Sequence, residues 1–314
     1  MSVVTPVAAR MSAPAKINLV LRVLDRREDG FHELRTVFQA IDLADEVQVA
    51  WGGNQVQLDV QGADVGPEVE NLAYRAATRF LEARGERRGV RIGLVKRIPA
   101  GAGLGGGSSD AAAVLRCLAA ISPGPADRAA LGRIALSLGS DVPFFLGSSP
   151  LARATGRGEV LGPLAPLPTA HVVLVLPPVH VSTADAYRAL AEARARGPTR
   201  ANPLPDEEFR SDTGDALPSL ERWSDVEAAL ANDFEPVIAA RHPEVRRALT
   251  ELVASGARGT LLSGSGSACF GFFPDRAGAE AAARYLSASL GWRCGAVRTL
   301  TRLPTPMVES ETRA

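Results

Sequence analysis

The sequence predicts an α+β protein built as two domains, and three observations carry that reading. Its 314 residues are enough for two domains of ordinary size. Strand-like alternation and helix-like periodicity come in groups rather than in strict succession, which favours α+β sandwiches over a doubly wound sheet. Three prolines between Gly162 and Pro168 mark a composition break, dividing 1–167 from 168–314.

Composition narrows the class. A hydrophobic content of 46% and a mean hydropathy of +0.03 describe a packed globular chain. Lys and Arg number 35, as do Asp and Glu, so the basic excess of a nucleic-acid binder is missing. Cys117, Cys269 and Cys294 stand far apart, a pattern of reduced thiols in a cytoplasmic protein rather than of a zinc site. The four histidines form no metal motif. The longest apolar run, near Val172 to Val179, is interrupted by Pro177 and Pro178 and is too short for a membrane span. Met1 to Arg10 lacks a signal-peptide core, and Met11 opens a second start-like Met-Ser-Ala-Pro-Ala-Lys. Residues 1–10 are therefore expected to be disordered.

Taken in order, Ala15 to Leu24 alternates Ile17, Leu19, Leu21 and Val23 with Asn18 and Arg22, a half-buried strand. Asp25 to Gly30 is a charged turn, and Phe31 to Val49 is again extended. Val56, Leu58 and Val60 alternate with polar residues as a third strand, and Asn71 to Ala83 has helical spacing. Val90, Ile92 and Leu94 form another strand, and a helix is expected over Asp127 to Leu138. Beyond the break come a buried strand at Val172 to Leu176 and a helix at Thr183 to Arg196. Gly197 to Pro218, rich in Pro, Asp and Ser, reads as a long surface loop or lid. Helices follow over Ser224–Leu230, Pro236–Ala254 and Arg276–Leu290, with a Gly-Ser turn entering a strand between Gly259 and Phe273.

The most informative stretch is Lys96 to Asp110. Five of the seven residues from Gly101 to Gly107 are glycine, set between a strand and an alanine-rich helix pattern of Ala111, Val114, Leu115, Leu118 and Ile121. Glycine permits positive φ and close approach of backbone amides to a ligand. Ser108 and Ser109 are expected to cap the helix, whose positive end points back at the loop. Such a loop binds anions, phosphate above all. Three familiar phosphate loops fail here. Gly107 stands where the Walker A lysine belongs. The Rossmann pattern meets Pro99 in its strand and lacks the later acidic residue. The later Lys and His-Arg-Asp elements of a protein kinase are missing.

Two further segments hold candidate chemistry. Lys16 and Asn18 share the strand face opposite the aliphatic side chains and can point into a cleft. Asp141 follows Gly139-Ser140 and precedes Val142-Pro143-Phe144-Phe145, which would keep its carboxylate partly dry. A solvated face and a helix cap are the plainer alternatives for these residues.

The Pro-x-Gly-x-Gly-Leu-Gly-Gly-Gly-Ser-Ser loop closely resembles that of the GHMP small-molecule kinases. Pro14-Ala15-Lys16-Ile17-Asn18, Gly139-Ser140-Asp141-Val142-Pro143 and Leu262 to Ala268 resemble the flanking motifs. The resemblance runs from Ala13 to about Val297, with a poor match in Gly197 to Pro218. It implies an ATP-binding domain of the ribosomal-protein-S5-domain-2-like type followed by a ferredoxin-like domain. ATP would be held by Pro99, Ala100, Gly101, Ala102, Gly103, Leu104, Gly105, Gly106, Gly107, Ser108 and Ser109, with Asn71 near the adenine. Asp141 would be the general base and Lys16 its partner, stabilising charge on the transferred phosphoryl group. Asn18, Phe31, His32, Thr183 and Tyr187 would bind substrate. Gly30-Phe31-His32 with the Tyr187 segment resembles members of the family acting on a cytidyl diphosphate, the two aromatics stacking on cytosine and the histidine meeting its edge. Phe31 stands where Tyr is commoner, keeping the stacking surface without the hydroxyl.

Mg²⁺ would arrive with ATP; no residue stands out as its ligand, and Asp110 near the phosphates needs a cation or an outward direction. The resemblance further implies a small-molecule kinase with no nucleic-acid or membrane partner, monomeric or a weak homodimer. A homoserine- or mevalonate-type kinase and a catalytically silent nucleotide sensor are the alternatives. The second is disfavoured because both Lys16 and Asp141 are present.

Overall fold

The computed structural model describes residues 6–63, 66–197 and 220–310. The expected loop or lid at Gly197 to Pro218 lies, apart from Gly197 itself, outside the described residues.

The first half is built on β1 (Pro6–Arg26) and β2 (His32–Trp51), a long antiparallel hairpin around the Arg27–Phe31 turn. It continues through β3 (Val56–Gln61), α1 (Leu72–Arg84), β4 (Val90–Val95), α2 (Gly106–Ile121), α3 (Arg128–Leu138), α4 (Val142–Leu146), β5 (Leu151–Thr155) and β6 (Val160–Pro163). The second half holds β7 (His171–Leu176), α5 (Thr183–Ala195), α6 (Trp223–Ala229), β8 (Ala231–Asn232), α7 (Glu235–Arg241) and α8 (Pro243–Ala254). It ends with β9 (Thr260–Leu262), β10 (Cys269–Phe273), α9 (Arg276–Leu290), β11 (Arg293–Arg298) and β12 (Met307–Ser310).

One sheet of eight strands runs β12-β1-β2-β4-β3, with the β5–β6 hairpin joined to β2 and β8 laid parallel on β1. The other has four antiparallel strands in the order β11-β7-β10-β9, the fourth-first-third-second arrangement of a ferredoxin-like half. The fold is thus α+β, as the sequence predicts. Sheet membership does not divide at one point of the chain, because β8 and β12 return from the second half to the first sheet.

β1 organises the core. Its inward residues Met11 and Ala13 pack with α1 and α2, Ile17 and Leu19 pack between the two sheets against Val172, Leu174 and Phe270, and Leu21 and Val23 join the core beneath α5 and α7. Register irregularities interrupt its pairing with β2 between Pro14 and Ala15 and between Asn18 and Val20, while its length carries it past all three cores.

Three expectations are corrected. Pro6–Arg10 is strand rather than disordered: it pairs with β12 and with β2, and Ala9 is fully buried. The single helix expected over Pro236–Ala254 is two, because Pro243 has no amide hydrogen to donate and forces His242 out of helical geometry to φ −121° and ψ 95°. Ser108 and Ser109 do not cap α2. Gly105, left-handed at φ 71°, is the cap, and the serines lie inside the first turns.

Candidate active site

The two halves meet at a cleft of about 1070 Å³ whose floor is the polar face of β1. Lys16 is only 4% exposed there. Its ammonium donates to Asn18 Oδ1 at 2.6 Å and stands 3.5 Å from an Asp141 carboxylate oxygen. Asn18 in turn donates to Thr36 Oγ1 at 2.8 Å, and Thr36 donates to the Val20 carbonyl at 2.6 Å. The chain of bonds fixes the lysine by tying its partner to the β1–β2 backbone. Asp141 precedes α4, yet its side chain makes no capping bond to that helix and is 27% exposed toward the cleft. That geometry sets aside the plain capping role.

The glycine tract lies along one wall. The first described backbone bond within α2 runs from the Ser109 amide to the Gly105 carbonyl at 3.0 Å. The amides of Gly106, Gly107 and Ser108 come before it, so they form the open end of the helix. A Cβ on Gly105 would stand 3.1 Å from Lys16 Cγ and 3.2 Å from the Phe145 ring, so only glycine lets the tract lie against the lysine in its left-handed turn. Gly103 is equally constrained, since a Cβ would fall 2.1 Å from the Ser263 carbonyl oxygen. The Gly-Ser turn after β9 braces the tract: Ser263 Oγ donates to the Gly103 carbonyl at 3.0 Å and the Ala268 amide to the Ala102 carbonyl at 3.1 Å. Asn232 holds that turn by donating to the carbonyls of Leu262 at 2.7 Å and Gly264 at 2.8 Å.

Beneath the tract lies a buried ionic cluster. Lys96 donates to Asp45 and, at 2.7 Å, to Asp110, while the other Asp45 oxygen accepts the amides of Arg97 and Ile98 at 2.5 and 2.8 Å. Burial pushes the Asp110 carboxyl up to about 7, with Lys96 opposing and Asp45 assisting. Burial alone would lower Lys96, but the two carboxylates outweigh it and the net direction is upward. The cation that Asp110 required is therefore Lys96.

The far end of the cleft is aromatic. Phe31 is 54% exposed at its mouth, which removes the plain reading of a core ring. His32 lies beneath and stacks on Tyr187 at 4.9 Å with an 18° interplanar angle; Tyr187 and Phe234 meet in a T-shaped contact at 4.9 Å. One face of Tyr187 is thus covered by the His32 ring. Burial, then Arg26 and Arg194, lowers the His32 pKa, favouring the neutral imidazole. Burial and the nearby Asp141 charge raise Tyr187. Thr183 shares a 3.1 Å hydrogen bond with Ser265, which lines the cleft beside it.

The cleft brings together Lys16, Asn18, Phe31, His32, Gly103, Gly105, Ser108, Asp141, Thr183 and Tyr187. The remaining expected residues do not line it. Ala102, Leu104 and Ser109 turn their side chains into the interior and could meet a ligand only through backbone. A Cβ on Gly101 would lie 2.8 Å from His180. Pro99, Ala100, Gly106 and Gly107 lie along the tract outside the cleft lining, and Asn71 caps α1 by accepting the Ala73 amide at 2.9 Å. Sequence reading missed Thr36, Phe234 and Arg157, each in a strand or turn without a distinctive local pattern.

Residues 71–148 match the family of GHMP kinases N terminal domains, and residues 216–291 match GHMP kinases C terminal. The 4-diphosphocytidyl-2-C-methyl-D-erythritol kinase of Geobacter sp. (strain M21) is 41% identical over 93% of this chain and 99% of its own length. The chain belongs to the GHMP kinase family. A second family member, the 4-diphosphocytidyl-2-C-methyl-D-erythritol kinase of Anaeromyxobacter dehalogenans (strain 2CP-C), is 46% identical over 86% of this chain and 82% of its own. A crystal structure of 4-(cytidine 5'-diphospho)-2C-methyl-D-erythritol kinase superposes with a TM-score of 0.73 at 44% identity, covering 92% of this GHMP kinase and 98% of that chain. A homoserine kinase from Cytophaga hutchinsonii superposes at 0.69 with 17% identity, a likeness of fold alone.

Proposed function

We propose that this GHMP kinase transfers the γ-phosphoryl group of ATP to the 2-hydroxyl of 4-diphosphocytidyl-2-C-methyl-D-erythritol, a step of the methylerythritol phosphate route to isoprenoid precursors. The observation that carries the proposal is the Lys16–Asp141 pair at 3.5 Å, set between the open end of α2 and the Phe31–His32 mouth in one cleft.

In this reading Phe31 stacks on the cytosine, the neutral His32 meets its edge, and Thr183 contacts the chain that follows. The acceptor hydroxyl then lies against Asp141. As the hydroxyl oxygen forms its bond to the γ-phosphorus, its proton passes to the Asp141 carboxylate and the bond to the β-phosphate oxygen breaks, releasing ADP. Lys16 faces the charge that develops on the transferred group, and the α2 amides face the phosphates.

The glycine tract fits a polyphosphate, because its missing side chains leave amides open beside the lysine. Mg²⁺ would come with the nucleotide and neutralise phosphate charge. Among the described residues no group of three or more His, Cys, Asp or Glu side chains could hold a metal ion. Among the described residues no helix is long and apolar enough to cross a membrane, and Cys117, Cys269 and Cys294 are free thiols. We place the enzyme in the cytoplasm, whose reducing conditions keep such thiols free.

An ATP-consumption assay with three acceptors tests the reading. ADP should form with the cytidyl substrate and stay at background with homoserine and mevalonate. Comparable turnover of either alternative acceptor would overturn the substrate assignment.

A further inference from the structure

Arg157 belongs to no motif considered so far, yet it lines the cleft and sets its guanidinium 4.7 Å from the centroid of the Phe31 ring. Its placement is built rather than incidental. It sits in the β5–β6 turn between Gly156 (φ 71°) and Gly158 (φ 104°), two left-handed positions that glycine occupies without strain. Its own amide donates to Glu159 at 2.5 Å. The turn is latched to the β1–β2 hairpin by Glu33, one of whose carboxylate oxygens accepts the Gly156 amide at 2.8 Å while the other accepts Arg27 at 2.7 Å. The Leu34 amide returns a 2.6 Å bond to the Gly156 carbonyl. The hairpin turn carrying Phe31 is itself tied down, the Phe31 amide donating to Asp29 at 3.1 Å and the Arg27 amide to the Phe31 carbonyl at 2.7 Å.

A phenyl ring more than half exposed at a loop has little to fix its orientation, and an unfixed platform loses part of its stacking energy to ordering when a base arrives. A guanidinium over one ring face supplies that fixing through cation–π attraction and leaves the opposite face for a planar base. We propose that Arg157 is a positioning residue for the pyrimidine end of the substrate, acting through Phe31. Glu33 sets the distance between the two by joining the turns that carry them. This rests on the function proposed above and adds a specificity element from a different strand pair.

The test compares Arg157→Ala, Arg157→Lys and Phe31→Ala with wild type, measuring KM and kcat for the cytidyl substrate, KM for ATP, and thermal stability. For Arg157→Ala, KM for the cytidyl substrate should rise about threefold to tenfold, the scale of a partly exposed cation–π contact. ATP KM and melting temperature should hold, and kcat at saturating substrate should move far less than KM. Arg157→Lys should recover part of the loss, because it keeps the cation. A merely structural role would instead move stability, kcat and both KM values together, and that result would overturn the proposal. An unchanged cytidyl KM in Arg157→Ala would also overturn it, as would a lowered one, which would mean that the guanidinium occupies the base's own seat. The Phe31→Ala arm separates the two readings. If it leaves the cytidyl KM untouched, the platform itself is wrong; if it raises KM while Arg157→Ala does not, only the role of Arg157 fails.

Discussion

Lys16 shows how one side chain is made ready by its neighbours. It is held in the floor of the cleft by Asn18, which Thr36 anchors to backbone, and it reaches Asp141 without burying an unpaired charge. Phe31 is the opposite case, an aromatic left half exposed where burial would have cost nothing. Truncating it should therefore hurt recognition and leave the core intact. Base stacking on an aromatic is worth about 1–3 kcal/mol, so Phe31→Ala should raise KM for the cytidyl substrate about 5- to 150-fold. Steady-state kinetics with each substrate varied would check this, and an equal rise in the ATP KM would contradict it. Membership of the cleft was legible where a side chain sits inside a distinctive run, as Lys16, Phe31 and Asp141 do. Arg157 and Thr36 were not, because their partners lie far along the chain and nothing local marks them. Tyr187 was legible as part of the cleft, but its stacking on His32 is visible only in three dimensions.

At the scale of elements, the glycine tract depends on what lies under it. Asp45 from β2, Lys96 beyond β4 and Asp110 in α2 fasten the loop at both ends through a cluster with almost no solvent contact. Because burial raises the folded-state pKa of Asp110 to about 7, the folded protein binds a proton that the unfolded chain, with an ordinary carboxyl, has released. That contribution to stability is greatest at low pH and is lost as pH rises from about 4 toward 7, then levels off. Asp110→Asn should remove the dependence, so the wild-type advantage in melting temperature over the variant should shrink between pH 5 and pH 7. A difference constant across that range would contradict the shift. The cluster was invisible in the sequence, since Asp45 and Lys96 are 51 residues apart. Element types were largely legible: β4, α1, α3, α5 and α9 lie where periodicity placed them, with Asp127, Ser182 and Asp275 capping as their types allow. The short strands β8 and β12 were not, because pairing with β1 rather than any local pattern makes them strands.

Across the whole molecule, the cleft exists because the second half packs against β1 and adds β8 to its sheet. The first half supplies the glycine tract, Lys16 and Asp141; the second supplies the Ser263–Ala268 brace, Thr183, Tyr187 and Phe234. β8 stitches the second half to β1, and the adjoining Asp233 accepts the Val23 amide and the Arg22 guanidinium, both at 2.9 Å. The proposed chemistry thus needs both halves in register, with the acceptor brought in from the aromatic end and the nucleotide from the glycine end. The composition break near Gly162 to Pro168 hinted at two units, but not at the return of β8 and β12 that locks them together.

The central claim is that Asp141 takes the proton of the acceptor hydroxyl while the glycine tract holds ATP independently. The most direct measurement is the single-turnover rate of Asp141→Asn with saturating substrates, made alongside its ATP affinity. The account predicts a rate lowered about 10²- to 10⁴-fold with nucleotide affinity nearly unchanged. A rate equal to wild type would contradict it.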